Sequence, residues 1–495
     1  MNAQAQVTFP PGFVWGAATA AFQIEGATHS DGRTDSIWDT FCRVPGAVVG
    51  GDTGDVACDH YHRWPADVAL MADLGLGAYR FSTAWPRVFP EAGRLNQAGL
   101  DFYSRLVDGL LDAGIAPWLT LYHWDLPQYL EDRGGWANRD VVGHFTDYAL
   151  TMHAALGDRV RSWTTINEPW CAAFLGYAGG QHPPGRQEPQ AAVSAAHHLL
   201  LAHGQAGRAL RSVDPTAAIG ITFNTTVADP VDPADPADVA AADLMDALIN
   251  RVFLEPVLLG SYPQVAVDAF ASAGATLPIR DGDMEVIKAP VDFIGLNYYQ
   301  GNAVTAHAPA PTDVLPSGAA VVRPTSSPFV GGQGVHAVSR GLPRTAMDWE
   351  VQPDGLRRLL ERVHRDYTGQ TGVALYVTEN GAAYDDEVAE DGSIPDVERA
   401  EYIEDHLRAV HAALESGVDV RGYFAWSLLD NFEWAYGYQK RFGIVRVDFD
   451  TLERTPKLSA CRYAEIARTG RVLAGPIMVC EGVRERQAVN DTVSA

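Results

Sequence analysis

Basic residues are scarce in this chain: 37 Lys and Arg stand against 62 Asp and Glu, a formal net charge of −25. A surface of that sign repels phosphate backbones, which argues against nucleic-acid binding as a function class. It also disfavours anionic membranes and strongly anionic substrates, and leaves a neutral sugar compatible. Cysteine is rare as well. Cys42, Cys58, Cys171, Cys461 and Cys480 are scattered and form no CxxC pair. Free thiols in a reducing cytoplasm are therefore expected rather than a disulfide framework. Long hydrophobic runs are missing: no stretch approaches the roughly 18 apolar residues of a membrane helix. Met1 to Phe9 lacks a basic segment followed by an apolar one, so no secretory leader is expected and a cytoplasmic location is. No GxGxxG or phosphate-loop pattern occurs, so no nucleotide cofactor is implied. Asp59-His60-Tyr61-His62 resembles a ligand cluster only superficially, its spacing fitting no common zinc pattern. His197, His198 and His203 fall on a helical pattern of leucines and alanines. Both histidine groups read as structural or surface residues, and no metal is expected.

What is present is a regular alternation. Eight strand-like segments lie at Phe13 to Ala18, Ala78 to Ser82, Ala116 to Tyr122, Val160 to Ile166, Ala218 to Phe223, Phe293 to Tyr298, Ala374 to Thr378 and Gly422 to Trp426. Most are continuous apolar runs, as in a parallel sheet covered on both faces. Amphipathic stretches such as Pro65 to Leu74 and Gln97 to Ala113 separate them, with Gly75, Gly77 and Gly114 at helix ends. This predicts an α/β fold, a single (β/α)8 TIM barrel with its site at the C-terminal ends of the strands. The barrel is expected over residues 1–470, followed by a loosely ordered tail over 471–495. Asp229 to Asp238 reads as a surface loop. The long Pro/Gly/Ser-rich segment from Ala306 to Arg344 reads as a wall of the site's mouth.

Two carboxylates dominate the candidate chemistry. Glu168 in Thr165-Ile166-Asn167-Glu168-Pro169 and Glu379 in Thr378-Glu379-Asn380-Gly381 each end a buried-strand pattern and are followed by a breaker. Strand tips are where such barrels keep their chemistry. A pair of carboxyl groups suits glycosidic cleavage, one protonating the leaving oxygen and the other handling the anomeric carbon. The other tips carry fitting residues: Gln23, Arg80, His123-Trp124, Asn167, Asn297, Tyr299, Trp426, and Glu433-Trp434 in the last loop. Amides, imidazole and carboxylate bind sugar hydroxyls, and an indole covers the apolar C–H face of a pyranose.

The two Glu motifs resemble the acid/base and nucleophile motifs of glycoside hydrolase family 1, the β-glucosidase family. Phe13-Val14-Trp15-Gly16-Ala17-Ala18-Thr19-Ala20-Ala21-Phe22-Gln23-Ile24-Glu25-Gly26 is similar to that family's N-terminal signature, and the likeness runs from about Phe9 to about Ala467. The resemblance implies Glu379 as nucleophile and Glu168 as acid/base. It implies Gln23, His123, Asn167, Glu433 and Trp434 on the glycone hydroxyls, with Trp426 as the stacking floor. Arg80, Asn297 and Tyr299 would support the nucleophile, and Trp349 would line the aglycone side. Trp170 and Phe174 are aglycone candidates by position alone. Members acting on 6-phosphorylated sugars typically carry a small hydroxyl residue at the place of Glu433 and a tyrosine at that of Phe442. Thioglucosidase members carry Gln at that of Glu168. The implied substrate is thus an unphosphorylated β-glucoside or cello-oligosaccharide, with galactosyl or fucosyl residues as further glycones. A transglycosylase using the same intermediate and a non-catalytic carbohydrate-binding barrel are the alternatives; the second is disfavoured because both Glu168 and Glu379 are retained.

Overall fold

Eight apolar runs of similar length cannot bury both faces in an open sheet without two uncovered edges, and closure removes the edges. The computed structural model describes residues 6–309 and 323–474. In it the strands β1 (Val14–Ala18), β2 (Ala78–Ser82), β3 (Ala116–Tyr122), β4 (Ser162–Asn167), β5 (Ala218–Thr225), β6 (Phe293–Tyr298), β7 (Ala374–Asn380) and β8 (Val420–Trp426) form one closed barrel. Each strand pairs in parallel with the next in the chain, and β8 returns to β1. Helices cover the outside, among them His60–Asp73, Gln97–Asp112, Val141–Leu156, Pro189–Val213, Pro353–Val363 and Val397–Glu415. The eight-fold barrel expected from the sequence is the fold observed.

The barrel floor is aromatic. Trp118 of β3 packs on Phe293 of β6, Tyr376 of β7 and Phe424 of β8, with ring centroids 4.9, 4.7 and 5.3 Å away. This plug closes the bottom, so polar groups gathered above it open only toward the C-terminal rim.

Two strands break the in–out alternation at the rim. On β7, Tyr376 faces the plug and Thr378 faces inward to Asn297, so strict alternation would send Glu379 out into the helical layer. A register shift between Val377 and Glu379 against β6 turns it inward. On β4, Thr164 faces inward to Trp118 and Thr165 outward to His203. A shift between Thr164 and Asn167 then brings Asn167 inside. Asn380 points outward instead, bonding the Tyr298 carbonyl and the hydroxyls of Tyr402 and Tyr423. Gly381 comes next because a Cβ there would fall on the carbonyl oxygen of Trp426.

Several expected boundaries move. Residues 229–238 are not a plain loop. Ala228–Pro230 is a strand parallel to Asn302–Thr305, held by Arg340 and Arg358 on Asp229, and a helix starts at Pro236 with Asp235 as its N-cap. The Asp-Pro dipeptide is a helix-start signal here rather than a turn. The first covering helix starts at His60, not Pro65, because His60 is bonded within it to Asp67, which Arg454 also holds. Residues 310–322 of the proposed mouth segment, and 475–495 of the proposed tail with Cys480, lie outside the described residues. Arg471–Val472 pairs antiparallel with Val7–Thr8.

Gly381→Ala is expected to cost about 1–3 kcal/mol of stability, the usual range for overpacking a closed site. Urea denaturation measures it, and an unchanged midpoint would contradict the close-approach argument.

Candidate active site

The rim encloses a cavity of about 420 Å³ lined by His123, Trp124, Glu168, Trp170, Asn297, Tyr299, Trp349, Glu379, Trp426, Glu433 and Trp434 among others. Gln23, Arg80 and Asn167 lie just beneath, fully buried and bonded to that lining. Every site residue expected at a strand tip is therefore in this one place. Trp170 is too, but Phe174 is not part of the wall. It packs into the helical layer against Phe253 and Phe270, because the segment after Glu168 winds as a π-helix that turns it away.

The two carboxyl groups are held differently. Glu379 receives Arg80 Nη1 on Oε1 at 2.5 Å and the Tyr299 hydroxyl on Oε2 at 2.7 Å. Burial pushes its pKa up, and Arg80 with Tyr299 pulls against that. Among the described residues, no cation lies within hydrogen-bond reach of Glu168. Asn297 Nδ2 donates to its Oε1 at 2.7 Å, and Cys171 Sγ lies 3.2 Å from Oε2. Burial first, then repulsion from Glu379, pushes it up to about 8. Glu379 therefore ionises first, and its charge keeps Glu168 protonated at neutral pH.

One relay orders the polar floor. Arg80 Nη2 donates to Asn167 Oδ1 at 2.6 Å, which leaves the Asn167 amide to donate to His123 Nε2 at 3.0 Å. His123 is thereby the Nδ1–H tautomer, and burial holds it neutral. Asn297 is oriented in the same way: Thr378 donates to its Oδ1, so its Nδ2 faces Glu168. Gln23 spends its Nε2 on Asn431, the Phe432 carbonyl and Glu433. Gln23 Oε1 and His123 Nδ1 are buried with no hydrogen-bond partner among the described residues. Buried polar atoms are normally paired, so these two point to hydroxyls of a bound molecule.

Glu433 is not a simple carboxylate. Burial and the charge of Glu379 push it up to about 8, so at neutral pH it is largely a carboxylic acid, able both to donate and to accept. The indoles of Trp426 and Trp434 flank the imidazole of His123 at 5.8 and 5.9 Å. Trp349 leans on Tyr299 at 5.4 Å and on Phe442 at 6.0 Å. Glu168, Trp124 and Trp434 have left-handed φ values of 47°, 76° and 52°. Such conformations are costly for large residues and collect at functional sites.

Sequence reading missed Asn224, Thr225 and Thr226 at the end of β5, which also line the cavity. The strand-tip rule finds them once β5 is carried past Phe223. It also missed Met245 and Ile249, which come from an outer segment and carry no tip signal, whereas Phe329 and Ala337 belong to the 306–344 segment expected to wall the mouth. The histidines of the two clusters have partners within the protein: His62 bonds Asp59, His197 bonds Asp283 and His198 the Trp136 carbonyl. Elsewhere Asp235, Asp238 and His307 approach one another. There Asp238 already accepts from Thr305, Ala306 and Asp232, and Asp235 from Ala237 and His307.

A (β/α)8 barrel with two unlike carboxyl groups in a polar, indole-walled cavity at its C-terminal rim defines a class, the barrel glycosidases. The sequence profile of glycosyl hydrolase family 1 matches residues 5–471, and the chain belongs to that family. It is similar in structure to the psychrophilic beta-glucosidase BglU from Micrococcus antarcticus, with a TM-score of 0.90 and 54% identity over 94% of this chain and 98% of that one. The thermostable beta-glucosidase B of Thermobispora bispora is 49% identical over 94% of this chain and 92% of its own length. The bifunctional beta-D-glucosidase/beta-D-fucosidase of Bifidobacterium breve is 45% identical over 91% and 96%.

Tyr299→Phe removes one donor that favours ionised Glu379. The acidic limb of kcat/KM for an aryl β-glucoside should move upward by about half to one pH unit, the worth of one charge-assisted hydrogen bond. A limb that stays in place would show that Tyr299 does not tune Glu379.

Proposed function

We propose that this chain is a retaining exo-β-glucosidase that releases terminal β-D-glucosyl residues from aryl glucosides and cello-oligosaccharides, with β-fucosyl and β-galactosyl residues as further glycones. The unlike treatment of the two carboxyl groups carries the reading. Glu379, paired with Arg80 and Tyr299, attacks the anomeric carbon as its bond to the leaving oxygen breaks. Glu168, held protonated by burial and by Glu379, gives its proton to that oxygen. The glycosyl ester abolishes the charge on Glu379. Glu168 then loses its repelling neighbour, takes a proton from water and directs that water at the same carbon. Two inversions leave the β-configuration.

Binding follows from the floor. Gln23 Oε1 accepts from one glycone hydroxyl and His123 Nδ1–H donates to another. Asn167 is placed between Arg80 and His123 for the 2-hydroxyl, where contacts strengthen in the transition state. Trp426 takes the sugar's apolar face, Trp434 and Glu433 its 3-, 4- and 6-edge, and Trp349 and Trp170 flank the aglycone. Since Glu433 is largely neutral at pH 7, rejection of a 6-phosphate rests on Phe442, which offers no hydroxyl donor, as well as on the charge of Glu379. A cytoplasmic location fits the buried thiols of Cys42, Cys58 and Cys171. No helix among the described residues is long and apolar enough to cross a membrane.

Glu379→Gly should abolish hydrolysis, and azide should then give the inverted α-glycosyl azide. Glu168→Ala should lower kcat/KM by about 10²–10⁴ for poor leaving groups, the range for a lost general acid, and spare activated ones. With azide it should give the β-glycosyl azide. NMR of the products checks both, and identical behaviour of the two variants would overturn the role assignment.

Glu433→Ser should lower kcat/KM on an aryl β-glucoside and narrow its preference over the 6-phosphoglucoside. A panel of gluco, galacto, fuco and 6-phosphogluco substrates reads this directly. An unmutated enzyme that prefers the 6-phospho substrate would contradict the pocket reading.

A further inference from the structure

One buried group touches a reacting carboxyl group and has no part in the mechanism above. Cys171 Sγ lies 3.2 Å from Oε2 of Glu168, and the residue lines the cavity beside Trp170. The backbone puts it there. Glu168 sits at a left-handed φ, and the chain doubles back so that the amides of Cys171 and Ala172 both donate to the Glu168 carbonyl. The π-helix then begins at Cys171 itself. The side chain three residues on is thereby folded over the Glu168 carboxyl.

The two oxygens of Glu168 are not equivalent. Oε1 accepts Asn297 Nδ2–H, and Asn297 is fixed in that orientation by Thr378 Oγ1 on its own Oδ1. An oxygen already accepting an N–H is the poorer place for a proton, so the acidic proton of Glu168 resides on Oε2, the oxygen the thiol touches. When Glu168 is protonated, sulfur offers a weak acceptor to Oε2–H. When it is ionised, S–H donates to Oε2. Burial, followed by the Glu168 charge, holds the thiol well above its ordinary pKa, so the S–H stays available.

We propose that Cys171 is a positioning residue of the proton-transfer step: its thiol holds Oε2 of Glu168, the oxygen that delivers the proton, and favours the carboxylate that the second, hydrolytic half of the reaction requires. The inference rests on the acid/base reading of Glu168. A cysteine that merely fills space would be replaced equally well by any small residue.

The test compares Cys171→Ala, Cys171→Val and Cys171→Ser with the unmutated enzyme on cellobiose and on 2,4-dinitrophenyl β-glucoside, with circular dichroism to establish folding. Loss of the donor should move the basic limb of kcat/KM on cellobiose upward by about half a pH unit in Ala and Val. It should also lower kcat on the dinitrophenyl substrate, where deglycosylation limits, by about threefold. Ser, which restores a donor, should return both toward the unmutated values. Val carries the same expectation should Ala fail to fold. A basic limb unmoved in every variant would overturn the proposal. So would a uniform loss on both substrates with Ser as impaired as Ala, since that is a packing effect. Failure of the unmutated protein to hydrolyse any aryl β-glucoside would instead sink the reading of Glu168 itself.

Discussion

The buried guanidinium of Arg80 is the group on which the rest of the site depends. It is fully enclosed inside the barrel on β2, with one arm on Glu379 and the other on Asn167. A buried cation is tolerable only where its partners are well placed, and removing Glu379 would leave its charge uncompensated. Arg80 therefore fixes both the ionised state of Glu379 and the orientation of the Asn167 amide. That amide sets the tautomer of His123, and the charge of Glu379 sets the protonation of Glu168 and of Glu433. One positive charge orders three carboxyl groups, an amide and an imidazole.

The barrel supplies what Arg80 needs. An aromatic plug of Trp118, Phe293, Tyr376 and Phe424 closes the space below, which keeps the field of these charges strong by excluding water. Register shifts on β4 and β7 turn Asn167 and Glu379 inward. Left-handed residues at Trp124, Glu168 and Trp434 crowd the rim. Left-handed backbone, irregular register and buried charge thus meet where the chemistry is read.

Much of this was legible in the sequence. Continuous apolar runs ending in Glu, Asn, His or Trp marked the strands and their tips, because a parallel strand is apolar throughout its covered length and polar only where it emerges. The inward turn of Glu379 was not legible, since alternation from Tyr376 points it outward and only the register shift reverses it. The outer wall was legible only in part. The segment carrying Phe329 and Ala337 was marked by its length and composition, but Met245 and Ile249 are ordinary packing residues and carry no mark of the cavity they face. Phe174 was misplaced for a related reason: a π-helix changes the face on which each residue falls. Residues 229–238 show the reverse error, in which helix-start chemistry looks like loop chemistry until Arg340 and Arg358 are seen gripping Asp229. The protonated state of Glu433 also lay beyond sequence reading, because it arises from burial beside a charge that is distant along the chain.

The central claim is that Glu379, held ionised by Arg80 and Tyr299, is the nucleophile and forms a covalent ester. The most direct test is to incubate the protein with 2,4-dinitrophenyl 2-deoxy-2-fluoro-β-glucoside, digest it and locate the label by mass spectrometry. The account predicts one fluoroglucosyl group per chain, on the peptide carrying Thr378-Glu379-Asn380-Gly381. A label on Glu168, or turnover without any covalent adduct and with inverted product, would contradict it.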